Sequence, residues 1–408
     1  MRKISVLLLL ASLLIFIFPI NVSGQSTEPS FDFTCQPYLQ NLSQNGITIS
    51  WSVNRYSTSY VQYGENSNTD HKAFHAVSGM IDAGSGVQKV ILSNLKPGTV
   101  YFYKVISKEI KTHQAYKVVY GDSLKSKVYS FTTPSKLTES FSFMAFNDLH
   151  SKPQFTGDIV KREKGFSFVM LNGDILNDLN KESDIIDCML GPFSTSFASE
   201  IPFYFTRGNH ETRGIAARSL SKYIDTPNGE YFYSFNYGNT HFVVLDCGED
   251  KPDDNQYYFG LADYDNYRSQ EAVWLAKEVK TPDYINAKFR VVCIHMPVYL
   301  NSEGSDAEGY GIKDCSQKFA ALLNDAGADI LLCGHTHKYS MIKPKKGVNN
   351  FPIVMGGAPV GVNNNLDKST YTIVEVNKNI LTATLKKANG DIIDKVELKS
   401  KKNNRQTQ

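Results

Sequence analysis

Short apolar runs separated by polar turns dominate the chain, and their texture changes once, near Pro134. Before that point apolar and polar positions alternate. Ile47, Ile49 and Trp51 are spaced two apart, and similar short runs fall at 60–63, 87–92, 100–106 and 128–132. Period-two patterning puts successive side chains on opposite faces of a half-buried strand. Residues 35–134 are therefore expected to form an all-β sandwich. Within them, Leu95-Lys96-Pro97-Gly98-Thr99-Val100-Tyr101 sets a turn ahead of a strand tyrosine, the arrangement of a tyrosine corner.

After Pro134 the apolar runs alternate with helical patterns, which predicts an α/β layered domain over 139–399. Ser269 is read as the cap of a helix with Ala272, Val273, Leu275, Ala276 and Val279 at helical spacing and Trp274 on its core stripe. Asp314 is read as the cap of another, carrying Phe319, Leu322, Leu323 and Ala326 and stopped by Gly327. Residues 370–399 give two or three more strands, the Gly-, Ser- and acid-rich 301–311 stretch a loop, and 400–408 a polar tail.

Five of the apolar runs end in residues able to hold a metal. The run at 141–146 leads into Asp148 and His150, 168–171 into Gly173-Asp174, and 203–206 into Gly208-Asn209-His210-Glu211. The run at 290–294 leads into His295, and 329–333 into Gly334-His335-Thr336-His337. In an open α/β sheet the carboxyl ends of the strands face one crevice, so residues just past them converge although distant in sequence. Asp148, His150, Asp174 and His337 could hold one ion; Asp174, Asn209, His295 and His335 could hold a second, with Asp174 as the shared carboxylate. Mixed imidazole and carboxylate ligands suit Zn, Fe, Mn or Ni rather than Ca. Two divalent ions against two carboxylates leave a positive site, which fits a phosphoryl group. A bridging water made acidic by the pair could then attack phosphorus in line. His210, not needed as a ligand, is placed to protonate the departing alkoxide, oriented by Glu211, Asn177 or Asp178. Arg207 and Arg213 flank the same loop, where they could hold substrate oxygens or form surface ion pairs. His241 reads as structural, and His71, His75 and His113 as surface residues.

Composition narrows this picture. The chain has 408 residues, 41% of them hydrophobic, enough for two or three domains. A net charge of +2 supplies no broad basic field, so nucleic acid is not indicated as a partner beyond a possible substrate. Met1-Arg2-Lys3 precedes an apolar stretch from Ile4 to Ile20 and small residues to Gly24, the form of a signal peptide over 1–24 cleaved near Gly24. The reading is an exported protein, periplasmic or extracellular, with no stable membrane insertion after cleavage. Six cysteines are too few for a disulfide-built scaffold, and Cys293 and Cys333 lie inside apolar strands as buried thiols.

The five blocks resemble the calcineurin-like metallophosphoesterase family: Asp148-x-His150, Gly173-Asp174, Gly208-Asn209-His210-Glu211, His295 and Gly334-His335-x-His337 match its motifs in order. Residues 35–134 resemble a fibronectin type III domain, and such a domain ahead of the catalytic one resembles the architecture of purple acid phosphatases. The resemblance implies a four-layer catalytic domain, a β-sandwich flanked by helices, and a dinuclear centre that hydrolyses phosphomonoesters. Two departures occur together. Purple acid phosphatases carry glycine where this chain has His150, and a tyrosine three residues after the bridging aspartate where it has Asn177. That tyrosinate holds ferric iron and gives the colour, so the expectation here is a colourless enzyme with a divalent pair and His150 as the replacement ligand.

The sequence thus points to a secreted hydrolase of small phosphate monoesters, with attack by a hydroxide bridging the two ions. The same site could serve a phosphodiesterase or nucleotide hydrolase. A third reading, an extracellular binding protein with an idle metal domain, would be expected to show lost ligands, and none is lost.

Overall fold

The computed structural model describes residues 29–135, 137–300, 309–357 and 369–400. The expected signal peptide, the 301–308 part of the loop and the tail beyond Ser400 lie outside the described residues.

Side-chain alternation in the central strands decides the layering. In the strand Ser140–Phe146, Phe143 and Ala145 enter one core cluster while Met144 and Phe146 enter another, all four buried. A strand apolar on both faces needs cover on both. Two sheets supply the inner cover by packing face to face: the Phe143 and Phe168 rings of the larger lie 5.3 and 5.5 Å from Phe242 of the smaller. Helices supply the outer cover. Phe155, Ile159 and Val160 of the helix Gln154–Glu163 pack under the larger sheet. Leu275 of the helix Tyr264–Glu278 and Ile312, Phe319 and Leu323 of the helix Tyr310–Asp325 pack over the smaller. This is the four-layer arrangement.

The larger sheet places Thr370–Asn377, Ser140–Phe146, Phe168–Asn172 and Phe203–Thr206 side by side, the last three parallel. The smaller runs Tyr233–Tyr237, Thr240–Val244, Phe289–Cys293, Ile330–Cys333, Ile353–Met355, Ser340–Ile342. The five ligand-bearing strands therefore do not share one open sheet. Three belong to the larger and two to the smaller, and their loops meet because the ends of both sheets open on the same side.

The amino-terminal β region is not a separate sheet. The strand Phe33–Gln40 pairs antiparallel with Ile47–Gly64 and, through Gln40 opposite Phe203, parallel with the catalytic sheet, so one 13-stranded sheet runs through both parts. Tyr38 and Tyr103 hydroxyls donate to the carbonyls of Tyr223 and Ser199 at 3.0 and 2.8 Å, and Asp225 accepts from Thr48 and Lys89 at 2.6 and 2.8 Å. The runs at 47–51 and 60–63 form a single 18-residue strand, Ile47–Gly64. Lys117–Lys125 escaped the pattern because nearly all its side chains face solvent. At the sandwich turn the Tyr101 hydroxyl accepts from Lys96 N at 2.9 Å, and buried Trp51 donates to Ser107 Oγ at 2.8 Å.

Both expected helix starts move. The first helix begins at Tyr264 behind Asp263, and the Ser269 hydroxyl instead donates to the Asp265 carbonyl one turn back, at 2.7 Å. Trp274 is only partly buried, against Phe232 at 5.2 Å, while Val273 is exposed. The second helix begins behind Gly309, so Asp314 lies inside it, where it pairs with buried Arg268 at 2.5 Å and with Lys318. A hydrophobic count missed these starts because charged partners, not apolar spacing, fix them. All six cysteines are free thiols. No helix among the described residues is long and apolar enough to cross a membrane.

Candidate metal centre

Five of the seven expected ligands sit on left-handed backbone: Asp148, His150, Asp174, His335 and His337 have φ of 52°, 44°, 52°, 71° and 57°. Asp and His tolerate this region better than most residues, but each instance costs roughly 1–2 kcal/mol. Five together mark loops held in place by their surroundings. Backbone bonds supply part of the hold: Asp148 N and His150 N donate to the carbonyls of Gly173 and Asp174 at 3.0 Å each, and Gly334 N to the carbonyl of His295 at 2.8 Å.

Glu211 supplies more of it. Fully buried, its carboxylate accepts from Asp174 N, Leu176 N and Gly208 N at 3.0, 2.8 and 2.8 Å, which ties two ligand loops together. Burial and the neighbouring Asp174 charge push its pKa up to about 7. Glu211 does not orient His210, as the sequence reading had allowed. The Asp178 side chain does not either, being bonded to Asn177 Nδ2 at 2.8 Å. The partner is the Asn177 main-chain carbonyl, 2.6 Å from His210 Nδ1. A carbonyl only accepts, so Nδ1 carries the proton.

The ligand atoms fall into two groups. Asp148, His150, Asp174 and His337 offer donor atoms within 4.8 Å of one another, and so do Asp174, His295 and His335. Asp174 belongs to both. Asn209 joins the second group, its Oδ1 3.0 Å from His335 Nδ1. All seven residues named from the sequence thus meet in one place. His295 Nε2 lies 3.0 Å from Asp174 Oδ2 and 3.8 Å from Asp148 Oδ1, while its Nδ1 donates to the Asn172 carbonyl at 3.1 Å. With Nδ1 so committed, Nε2 is aimed into the site, buried, and faces the two carboxylates. Burial opposes charge on His295, but Asp174 and Asp148 outweigh it and raise its pKa to about 10. Burial lowers His335 to about 4, helped by the His295 charge, and also lowers His150. Asp174 is held well below the usual carboxylate range, against its burial, by His295 and His210. Imidazole nitrogens converging on two buried carboxylates are the donor set that transition-metal ions require, and the residues fit such a pair.

Gly357, and Glu249 as the partner of the expected Arg213, were missed in the sequence. Gly357, with φ 95°, lies so close to Asp148 that a Cβ there would collide with Oδ2. Its only sequence signal is the Gly356-Gly357 pair after the strand Ile353–Met355. Arg213 is gripped by Glu249 at both oxygens, at 2.9 and 3.1 Å, and its Nη1 stands 3.0 Å from His210 Nε2. Arg207 does not form a surface pair: half-buried at the edge of the cavity beside the centre, it is bonded to Asp246, itself buried, at 2.6 Å and stacked over Tyr231.

A model of the calcineurin-like phosphoesterase family matches residues 141–339, and one of the purple acid phosphatase N-terminal domain matches 34–133. Probable purple acid phosphatase 20 of Arabidopsis thaliana is 23% identical over 336 residues, 77% of this chain and 70% of that protein. Purple acid phosphatase 21 of the same plant is 25% identical over 63% of this chain, which spans 54% of that relative. Among solved structures, the yellow lupin (Lupinus luteus) purple acid phosphatase PPD1 superposes with TM-score 0.67 at 14% identity over 89% of this chain and 74% of that one. PhoD superposes with TM-score 0.60 at 11% identity, covering 91% and 94%. Residues 141–339 are a calcineurin-like phosphoesterase domain behind a purple acid phosphatase N-terminal domain, which makes the protein a metal-dependent phosphoric ester hydrolase with the two-part architecture of purple acid phosphatases.

Proposed function

We propose that the protein is an exported phosphohydrolase that cleaves phosphate monoesters at a dinuclear centre. The observation that carries the reading is the position of Asp174 in both ligand groups, since a carboxylate shared by two donor sets is what a paired-ion site needs. Asp148, His150, Asp174 and His337 would hold one divalent ion and Asp174, Asn209, His295 and His335 the other, both of the Fe, Zn or Mn type. Such a pair would polarise the phosphoryl oxygens and lower the pKa of a water toward ~7.

The chain's own residues supply the rest. His210 keeps Nδ1 on the Asn177 carbonyl and presents Nε2 to the site, 3.9 Å from Asp174 Oδ2, as the nitrogen that hands a proton to the leaving oxygen. In the resting arrangement Arg213 donates to that Nε2; when Nε2 carries a proton, Arg213 turns to an anionic oxygen of the substrate. The leader read in the sequence supports export.

Metal content and p-nitrophenyl phosphate turnover, measured on wild type and Asp174→Ala, test the reading. Loss of bound metal and of turnover in the variant is expected. Equal turnover in both proteins would defeat it.

A further inference from the structure

A cavity of about 920 Å³ opens beside the metal centre between two stretches of chain, 212–221 and 249–264. Its size is that of a small-molecule site. Arg213 and Thr212 form the boundary with the centre: both are bonded to Glu249, and Arg213 also touches His210. Ile215 stands on one wall, and Tyr257, Phe259 and Leu261 on the other. These four are 80%, 68%, 86% and 73% exposed. Large apolar side chains gathered open to water around one hollow mark a binding surface rather than a packing accident.

The backbone gives a second sign. Phe259 has φ 51°, left-handed conformation for a bulky residue, directly after the short turn Gln256–Tyr258 that Asn255 caps through Tyr257 N at 3.1 Å. Phe259 and Gly260, both at positive φ, form the middle of a turn closed by Leu261 N donating to the Tyr258 carbonyl at 2.9 Å, and this turn holds the Phe259 ring out into solvent. Four cations line the cavity: Arg207, Arg213 and Lys251 are paired with Asp246, Glu249 and Asp250, while Arg218 has no hydrogen bond or ion pair among the described residues.

We infer that this cavity receives the organic half of the substrate, and that the preferred substrates are phosphate monoesters of flat, ring-bearing alcohols such as aryl alcohols and nucleosides. The inference rests on the monoesterase reading above and adds to it the class of leaving group. The ring lies against Tyr257, Phe259 and Leu261, while the phosphoryl group points past Arg213 to the two ligand groups. Arg218 remains for a further anionic group.

Steady-state kinetics of the metal-loaded protein with p-nitrophenyl phosphate, adenosine 5′-monophosphate and glycerol 2-phosphate test this, in wild type, Phe259→Ala and Phe259→Trp. Phe259 is exposed, so neither variant disturbs a core. Wild type is expected to favour both ring-bearing esters by kcat/KM. Phe259→Ala should raise KM for those two roughly five- to tenfold, the size of an aromatic contact, with kcat and glycerol 2-phosphate unchanged; Phe259→Trp should restore KM. Equal effects on all three esters, or none, would overturn the inference. If no ester is turned over, the monoesterase reading fails on its own, and calorimetric binding of adenosine 5′-monophosphate to wild type and Phe259→Ala still decides the cavity: equal affinity rejects it. A concentration-dependent dimer of wild type that Phe259→Ala abolishes would also reject it, by showing that a second copy covers the patch.

Discussion

His150 Nε2 faces His337 Nε2 across 3.1 Å, with the two rings nearly perpendicular. His150 follows a strand of the larger sheet and His337 follows a strand of the smaller, so the pair spans the mouth of the sandwich. Two neutral imidazoles can meet this way as donor and acceptor, but both nitrogens also lie in the four-residue group around Asp148 and Asp174. His150 therefore occupies the space that a metal ligand needs, while Asn177, in place of a tyrosine, has its side-chain amide on Asp178 and its main-chain carbonyl on His210. Protein loaded with iron, zinc or manganese is expected to show no tyrosinate absorption band in the visible. His150→Ala should weaken binding of one ion at least about tenfold in a metal titration, the lower end of what disturbing a metal site costs. A coloured holoprotein, or unchanged affinity, would count against His150 as a ligand.

Glu211 makes a different kind of contribution, since it touches main chain only. A carboxylate offers acceptors at both ends, whereas the amide of Glu211→Gln must turn an NH₂ toward at least one of the N–H groups of Asp174, Leu176 and Gly208. A buried donor would face a donor. The expected cost is about 1–3 kcal/mol of stability from the lost acceptor and about 10- to 100-fold in metal affinity from the loosened loops. Thermal denaturation and metal titration of the same variant would read both. An unchanged melting temperature would mean that the loops are held without Glu211.

The convergence of the seven candidate ligands was legible in the sequence because each closely follows an apolar strand, and a run of buried residues ending in Asp, Asn or His is a local signal. Asp148, Asp174, Asn209, His295 and His335 all have that signature. What holds them was not legible. Glu211 reads as one acid in a motif until its three main-chain donors are seen, and the partner of His210 is a carbonyl, a group every residue has. The division of five strands between two sheets was also invisible, since period and length do not say which strand pairs with which. Long-range charge explains the two misplaced helix starts: Asp314 reads as a cap by residue type, but the buried Arg268 draws it into the middle of a helix. The fusion of the amino-terminal region with the catalytic sheet rests on one short parallel pairing, Gln40 with Phe203, which leaves no periodic trace.

Gly357 brings the main chain close against the Asp148 carboxylate. Gly357→Ala adds a single methyl group, yet that methyl would meet Asp148 Oδ2, and the positive φ of the position adds strain of its own. Asp148 has to move. Because Gly357 N also donates to Thr370 Oγ1 at 2.8 Å, the backbone cannot retreat without breaking that bond. The variant is expected to stay folded, with the loss concentrated in the Asp148 group: circular dichroism unchanged, one of two ions released, and turnover reduced by roughly 10²-fold or more, the scale on which a misplaced catalytic group costs. Full metal content with full turnover would show that the loop relaxes around the methyl.

Glu271 lies away from the ligands, and its pH behaviour can be predicted from its surroundings. It is completely buried on the helix Tyr264–Glu278; Oε1 accepts from Asp246 N at 2.8 Å, and Oε2 has no hydrogen-bond partner among the described residues. Burial first, and the Asp246 charge second, raise its pKa well above 4.5, with Arg207 and Arg268 opposing. The folded state therefore holds a proton on Glu271 that the unfolded chain has released once pH passes the ordinary carboxylate range. Binding more protons when folded makes stability fall as pH rises, by at most about 1.4 kcal/mol per pH unit from this group. Glu271→Gln keeps the acceptor for Asp246 N and cannot ionise, so it removes that slope. Denaturant unfolding at pH 4, 5.5 and 7 should show the variant equal to wild type at the lowest pH and increasingly more stable above it. A wild type that gains on the variant between pH 4 and 7 would mean that the carboxylate is ionised in the fold, with Arg207 and Arg268 prevailing over burial.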